Sequence, residues 1–306
     1  MSVLTLNLAL NKYAFHWSYP EILADEQGLY AKNEVEVRWR DATPREVVNK
    51  TVMYTDLLKE RETDVYHAGE WACIDRVSKS PGTWILAKSR PGEGTLNSSF
   101  ALYVRTDSPV RSPIDLAGRP VAIEEGIGAQ FTTIDDLQAL LPRDEIKLTQ
   151  LGEPHKRLLA LLDGQVEAAS LVGPWSDIGR ALGLRMVLQT ARKNPTTIVV
   201  RRDTEPELLR RYFRATNQAI DMIGDSPETF RKSYLWRVEA ILEEMSLRVP
   251  EETLRKAVVI SRWNRWERYT EADFVETYEW MSQRGMASRG LVSGHKVASY
   301  ELDVFS

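Results

Sequence analysis

Apolar and polar positions alternate through LTLNLAL near the start of the chain, so Val3–Leu10 is predicted to be a strand. The spacing then becomes helical over Tyr19–Glu26, with a stop at Gly28, and returns to a strand over Val35–Trp39. Residues 44–60 are helical in pattern, Asp64–Tyr66 is a short strand, and a helix over Trp71–Ser78 follows the turn at Gly69. Trp84–Ala87 and Phe100–Val104 are β-rich. The polar, glycine-bearing loop SRPGEGTLNSS between them predicts a hairpin or a crossing between lobes.

A second β-α series opens with SPIDLAGRPVAIEEGIGAQ, residues 112–130. Ser112 can cap, Pro113 suits the first helical position, and Gly118 suits a left-handed exit. Pro120–Ile123 is a strand, and Gly126 and Gly128 turn the chain into a helix over Ala129–Leu140. Free amides at such a helix start can hold a carboxylate, sulfonate or phosphate, although an ordinary strand-to-helix turn has the same pattern. The series continues through a helix at His155–Asp163, stopped by Gly164, and a strand at Val166–Val172, ending near Val187 and Leu188. TTIVVRR, residues 196–202, is a buried strand returning from that lobe. Helices at 205–223, 227–244, 251–260 and 271–284 complete the chain.

Two such series imply an α/β protein of two lobes, each with a mostly parallel sheet covered by helices. Residues 1–100 and 196–306 are expected to form lobe 1, and residues 101–195 lobe 2. Ligands bind such sheets at the carboxyl ends of the strands, so two facing lobes define one cleft that closes on a small molecule.

Composition narrows the function. At 306 residues and 43% apolar content the chain can bury two cores. Its 40 basic and 44 acidic residues are interspersed and leave a formal charge of -4, which argues against a nucleic-acid or anionic-lipid partner. Cys73 is the single cysteine, which excludes an internal disulfide and a cysteine-based metal cluster. His16, His67, His155 and His295 lie far apart and none forms an i, i+4 pair, so neither a metal site nor a cofactor is expected. MSVLTLNLALNKYAFHW has no basic n-region and no uninterrupted apolar stretch, so a cytoplasmic location is expected; a processed form with a new start methionine, resident outside the cytoplasmic membrane, is the alternative.

Several segments, taken in order, resemble the type II periplasmic-binding-protein fold. They are ILADEQGLYAKNEVEVRW, YVRTDSPVRSPIDLAGRPVAI, LLALLDGQVEAASLVGPW with GLRMVL, EPELLRRYFRATNQAID, and the tail FVETYEWMSQRGMASRGLV. The resemblance is to the branch holding solute-binding proteins for sulfonates and nitrate together with the thiamine-pyrimidine synthases, and it spans nearly the whole chain. It implies a two-lobed fold with an interlobe ligand cleft. Enzymes of similar architecture include dihydroxyphthalate decarboxylase, chorismate dehydratase and an aromatic sulfinate desulfinase. Two features depart from these relatives. The cysteine-rich motif of the thiamine-pyrimidine synthases is missing, and residues 11–18, NKYAFHWS, lack the nucleophilic cysteine that the desulfinase resemblance asks for. Cys73, in GEWACI, has the apolar neighbours of a buried structural thiol.

In that architecture the loop after the first strand lines the cleft with Tyr13, His16 and Trp17. His16 can bond a ligand or act as a general acid or base; its plainer role is to cap the following helix. Asp41 and the Glu70-Trp71 pair follow the second and third strands, and either acidic residue can equally be a helix-start cap. Glu124, Gly126, Gly128, Ala129 and Gln130 form the anion turn of the second lobe. His155 and Trp175 follow later strands, where simple packing also accounts for them, and Thr197 lies at the return crossing.

The expected function is capture of a small anionic, aromatic or heteroaromatic ligand in the cleft. An importer permease of the ABC type enters as a partner only if the chain is exported. The alternative is a cytoplasmic lyase on the same fold, of the decarboxylase, dehydratase or desulfinase type, with His16 and Glu70 as its acid–base pair.

Overall fold

Leu6 and Leu8, the alternate apolar positions of LTLNLAL, enter the core and make Leu4–Leu10 the first strand, β1. The computed structural model describes residues 3–44, 46, 49–89, 100–190, 195–287, 294 and 297–305; most of the predicted 89–99 loop and His295 lie outside this set. After β1 come α1 (Tyr19–Glu26), α2 (Leu29–Lys32), β2 (Val35–Asp41), α3 (Lys50–Lys59), β3 (Val65–Gly69), α4 (Glu70–Ser78) and β4 (Thr83–Ser89). The chain continues with β5 (Ala101–Val104), β6 (Pro120–Ile123), α5 (Gly128–Gln138), β7 (Lys147–Gln150), α6 (Pro154–Leu162), β8 (Ala168–Leu171), α7 (Pro174–Ala181) and β9 (Arg185–Gln189). It ends with β10 (Thr196–Arg201), α8 (Pro206–Asp225), α9 (Pro227–Glu244), α10 (Glu251–Ala257), β11 (Glu267–Arg268) and α11 (Glu271–Gln283).

The strands form a six-stranded sheet in the order β11-β4-β10-β3-β1-β2 and a five-stranded sheet in the order β7-β6-β8-β5-β9. Both are mixed, which corrects the expectation of mostly parallel sheets. β1 runs parallel to β2 and β3, and β6 parallel to β7 and β8. β10 runs antiparallel to β3 and β4, and β5 antiparallel to β8 and β9. The reason lies in where each chain enters. β10 begins with Thr196 opposite Gly69, the carboxyl end of β3, and β5 begins with Ala101 opposite Leu171, the carboxyl end of β8. A strand entering at the cleft end must run against strands fed from the opposite end by their covering helices.

The helix predicted over 44–60 starts only at Lys50, where the Asn49 side chain accepts from the amides of Thr51 and Val52. α8 covers the first sheet and α1 with Leu209, Tyr212, Phe213, Thr216, Ala219, Ile220 and Ile223, an apolar stripe at helical spacing. Among the described residues no helix is long and apolar enough to cross a membrane.

Candidate functional site

The two sheets present their carboxyl ends to one another across a cavity of about 100 Å³. Asn11 lies just beyond β1, His67, Ala68 and Gly69 end β3, Glu124 follows β6, Val172 follows β8 and Thr190 follows β9. Helix starts supply Lys50, Gly128 and Pro154. This is the position where open α/β sheets place ligands, because strand ends and helix starts expose backbone and side chains to a shared crevice.

Five charged side chains line the cavity, three cationic and two acidic. Lys50 Nζ lies 2.5 Å from Glu153 Oε1 and 3.6 Å from Glu124 Oε1. Arg157 Nη1 is 3.6 Å from Glu124 Oε2, and its Nε donates to the Ser170 carbonyl at 2.7 Å. Asn11 Nδ2 donates to Glu153 Oε1 at 2.8 Å. Arg76, 1% exposed, donates from Nη2 to the Gly126 carbonyl at 3.0 Å. Its guanidinium carbon lies 4.7 Å from the Tyr54 ring centre and 5.6 Å from that of Tyr66, an arrangement that holds the cation on aromatic faces. Arg76 Nε and Nη1 and Arg157 Nη2 are buried and find no acceptor among the described residues. Buried donors of charged groups are costly to leave unmade, so these three nitrogens have capacity for a further acceptor.

Electrostatics point the same way. Burial pushes the Glu124 carboxyl up to about 7, with Glu153 adding to the rise and Lys50 and Arg157 opposing it. For Lys50 burial alone would lower the pKa, but Glu124, Tyr54 and Glu153 outweigh it and hold the ammonium form. Burial lowers the pKa of Arg157 while the two carboxylates oppose the change. Three cations against two carboxyls, one of them titrating near neutrality, leave the cavity net positive. Trp17, Tyr54, Tyr66, His67 and Phe100 add aromatic surface, and the Trp17 and Phe100 rings face each other at 6.4 Å and 29°.

Of the residues singled out from the sequence, Trp17, Glu124 and Gly128 line this cavity. The others are placed around it or away from it. Tyr13 stacks on His155 at 3.7 Å and donates its hydroxyl to Glu244. His16 packs against Gly173, where a β-carbon would sit 2.5 Å from its ring, and burial holds its pKa down to about 3. Asp41 is exposed and accepts from the Thr43 amide at 2.8 Å, the turn-capping role. Glu70 accepts from the hydroxyls of Tyr269 at 2.7 Å and Thr277 at 2.8 Å, within the apolar cluster where Trp71 stacks on Trp280 at 4.4 Å. The acid–base pair of the lyase reading is therefore not assembled at the cavity. Gly126 gives its amide to the Gln130 side chain at 3.0 Å and its carbonyl to Arg76. The turn thus caps itself in part and hands its carbonyl to an arginine. Ala129 is core, Trp175 is buried with Nε1 donating to the Tyr13 carbonyl, and Thr197 bonds the Ala68 carbonyl at 3.4 Å.

The cations were the missed residues, and a signal for two of them was present. Along α6 the buried positions Pro154, Arg157, Leu158 and Leu161 follow helical spacing, so Arg157 occupies the apolar stripe. Arg76 likewise interrupts the buried run of α4 between Ile74 and Val77. An arginine in an apolar stripe has to meet a carbonyl, a carboxylate or a ligand.

This two-lobed arrangement is that of the type II periplasmic binding proteins. Neither a protein-family model nor a curated protein matches the sequence. Solved structures do match. The alkanesulfonate-binding protein SsuA from Xanthomonas axonopodis pv. citri, bound to MOPS, is similar with a TM-score of 0.74 at 14% identity, over 97% of this chain and 99% of that one. The periplasmic aliphatic sulphonate binding protein SsuA from Escherichia coli gives 0.68 at 14% identity, over 98% and 93%. The Candida albicans CA3427 gene product, which exhibits the generic periplasmic binding protein fold, gives 0.67 at 13%, over 98% and 97%. At such identities the likeness defines the fold alone.

Proposed function

We propose that this chain is a solute-binding protein that closes on a small organic anion with a planar apolar body. The observation that carries the reading is Arg76, a buried guanidinium on the cavity wall with two nitrogens that find no acceptor among the described residues. With Lys50 engaged by Glu153 and Arg157 shared with Glu124, Arg76 is the cation best placed for the anionic group of a ligand. The aromatic lining supports a planar remainder, and a structural neighbour bound to MOPS supports a sulfonate as the anionic group. Residence outside the cytoplasmic membrane and delivery to an importer permease belong to this reading.

A thermal-shift screen of benzenesulfonate, benzoate, an alkanesulfonate, aniline and benzamide tests it. A ligand that binds only the folded state adds about 2.7 kcal/mol at one hundred times its Kd, so binders raise Tm. The sulfonates and carboxylates are expected to do so. A rise with the amine or the amide alone would contradict the anion reading.

A further inference from the structure

Glu153 stands just before α6, where a carboxylate ordinarily caps the helix amides, yet its side chain makes no cap hydrogen bond. It lies on the cavity wall instead, in a residue only 1% exposed. Two donors from the six-stranded sheet's side converge on one of its oxygens, Oε1: Lys50 Nζ at 2.5 Å and Asn11 Nδ2 at 2.8 Å. The Asn11 amide is oriented by its own Oδ1, which accepts from the Tyr13 amide at 3.0 Å, so its donor side is the one turned to Glu153. Such a pair of donors matches an ionised carboxylate. Glu124 lies 3.6 Å from the same lysine and 3.6 Å from Arg157.

The cations of the wall are therefore compensated unequally. Lys50 is matched by Glu153 and Arg157 lies beside Glu124, whereas Arg76 gives Nη2 to a carbonyl and has two nitrogens that find no acceptor among the described residues. With both carboxyls ionised, one positive charge of the three is left over. A second negative charge on the solute would meet Glu153 and Glu124 among buried side chains, where screening is weak. We infer that Glu153, with Glu124 beside it, is the charge-selecting residue of the cavity: it admits a solute carrying a single negative charge and rejects a dianion of the same shape. This rests on the solute-binding reading and narrows it from small organic anions to monoanions, such as sulfonates and sulfate esters, against phosphate esters. Repulsion from a fixed like charge is one half of specificity, and here Lys50 already compensates that charge when a monoanion binds.

Phenyl sulfate and phenyl phosphate test this, being alike in shape but carrying one and two negative charges at pH 8, above the phosphate ester's second pKa of about 6. At that pH Glu124, which titrates at about 7, is largely ionised as well. In isothermal titration of the full chain, phenyl sulfate is expected to bind about tenfold or more tighter than phenyl phosphate. Glu153→Gln keeps an acceptor for Lys50 and Asn11 while removing the charge, and is expected to narrow that ratio to about threefold or less, through tighter binding of phenyl phosphate. Should Glu153→Gln fail to fold, Glu124→Gln removes the other carboxylate and is expected to narrow the ratio in the same direction. Wild-type protein that binds phenyl phosphate as tightly as phenyl sulfate, or tighter, overturns the charge selection and leaves the anion reading standing. A ratio unchanged from wild type in the folded variant does the same. No binding of phenyl sulfate, phenyl phosphate or benzenesulfonate overturns both.

Discussion

Lys50 and Glu153 meet at 2.5 Å, from Nζ to Oε1, with side chains only 3% and 2% exposed. The lysine starts α3 beside the six-stranded sheet and the glutamate precedes α6 beside the five-stranded one, so the pair ties one sheet's elements to the other's across the cavity. Asn11 donates to the same glutamate oxygen, and Arg76 reaches the Gly126 carbonyl from the same side.

Removing one partner of a buried pair strands the other. Lys50→Met leaves Glu153 and Glu124 without their shared ammonium, and is expected to lower unfolding free energy by about 3 kcal/mol or more in urea titration. Because the pair bridges the two halves, the variant's radius of gyration in solution scattering should also increase. A loss below about 1 kcal/mol, the scale of an exposed pair, would show that the contact does not tie the two sheets' elements together.

Ligand affinity should depend on pH through Glu124. Its carboxyl titrates at about 7 in the folded protein, and a bound anion nearby disfavours the charged form further. Binding is then accompanied by proton uptake, so affinity for benzenesulfonate is strongest below pH 7 and falls as pH rises through about 7. Glu124→Gln should flatten that profile in titrations from pH 6 to 8. A profile as steep in the variant as in the wild type would remove Glu124 from the account.

His16 contributes to stability with the opposite pH sense. Its folded pKa, about 3, lies below the ordinary 6.5, so the unfolded chain takes up a proton that the folded one refuses. Stability is therefore fully present above pH 6.5 and is lost as pH falls toward 3. Compared with His16→Gln, the wild type should lose more of its stability between pH 6.5 and 4 in chemical denaturation, and parallel curves would refute the buried neutral imidazole.

Gly128 is a packing glycine at the cavity wall. A β-carbon there would lie 2.5 Å from the Phe100 ring, which also lines the cavity, so Gly128→Ala must swing the ring. Weaker ligand affinity with a modest change in Tm is expected. Unchanged affinity would mean that Phe100 does not shape the pocket.

Glu70 serves as a contrast. Glu70→Ala leaves two buried hydroxyls, those of Tyr269 and Thr277, without their acceptor and should cost about 1–3 kcal/mol each in stability while sparing ligand affinity in the folded fraction. A loss of affinity in the folded fraction would place Glu70 at the site after all.

The alternation in LTLNLAL and the stops at Gly28 and Gly164 made most elements legible, since strand and helix periods depend on local sequence alone. Tyr19–Glu26 and Pro120–Ile123 coincide with α1 and β6. Strand direction was not legible, because β10 and β5 take theirs from where the chain crosses between sheets. Within the site, Trp17, Glu124 and Gly128 were legible from their position after a strand or at a helix start. Glu70 shared that position but points into the Trp71–Trp280 cluster, a difference of side-chain direction that residue order does not encode. Lys50, Arg76 and Arg157 are brought together from three separate helices, and only the fold reveals their convergence.

The most direct test of the central claim is isothermal titration of benzenesulfonate into the wild type and into Arg76→Met. The account predicts saturable one-to-one binding by the wild type and a loss of about tenfold or more in the variant, the scale of a hydrogen bond to a charged group. Equal affinity in a folded Arg76→Met protein would contradict it.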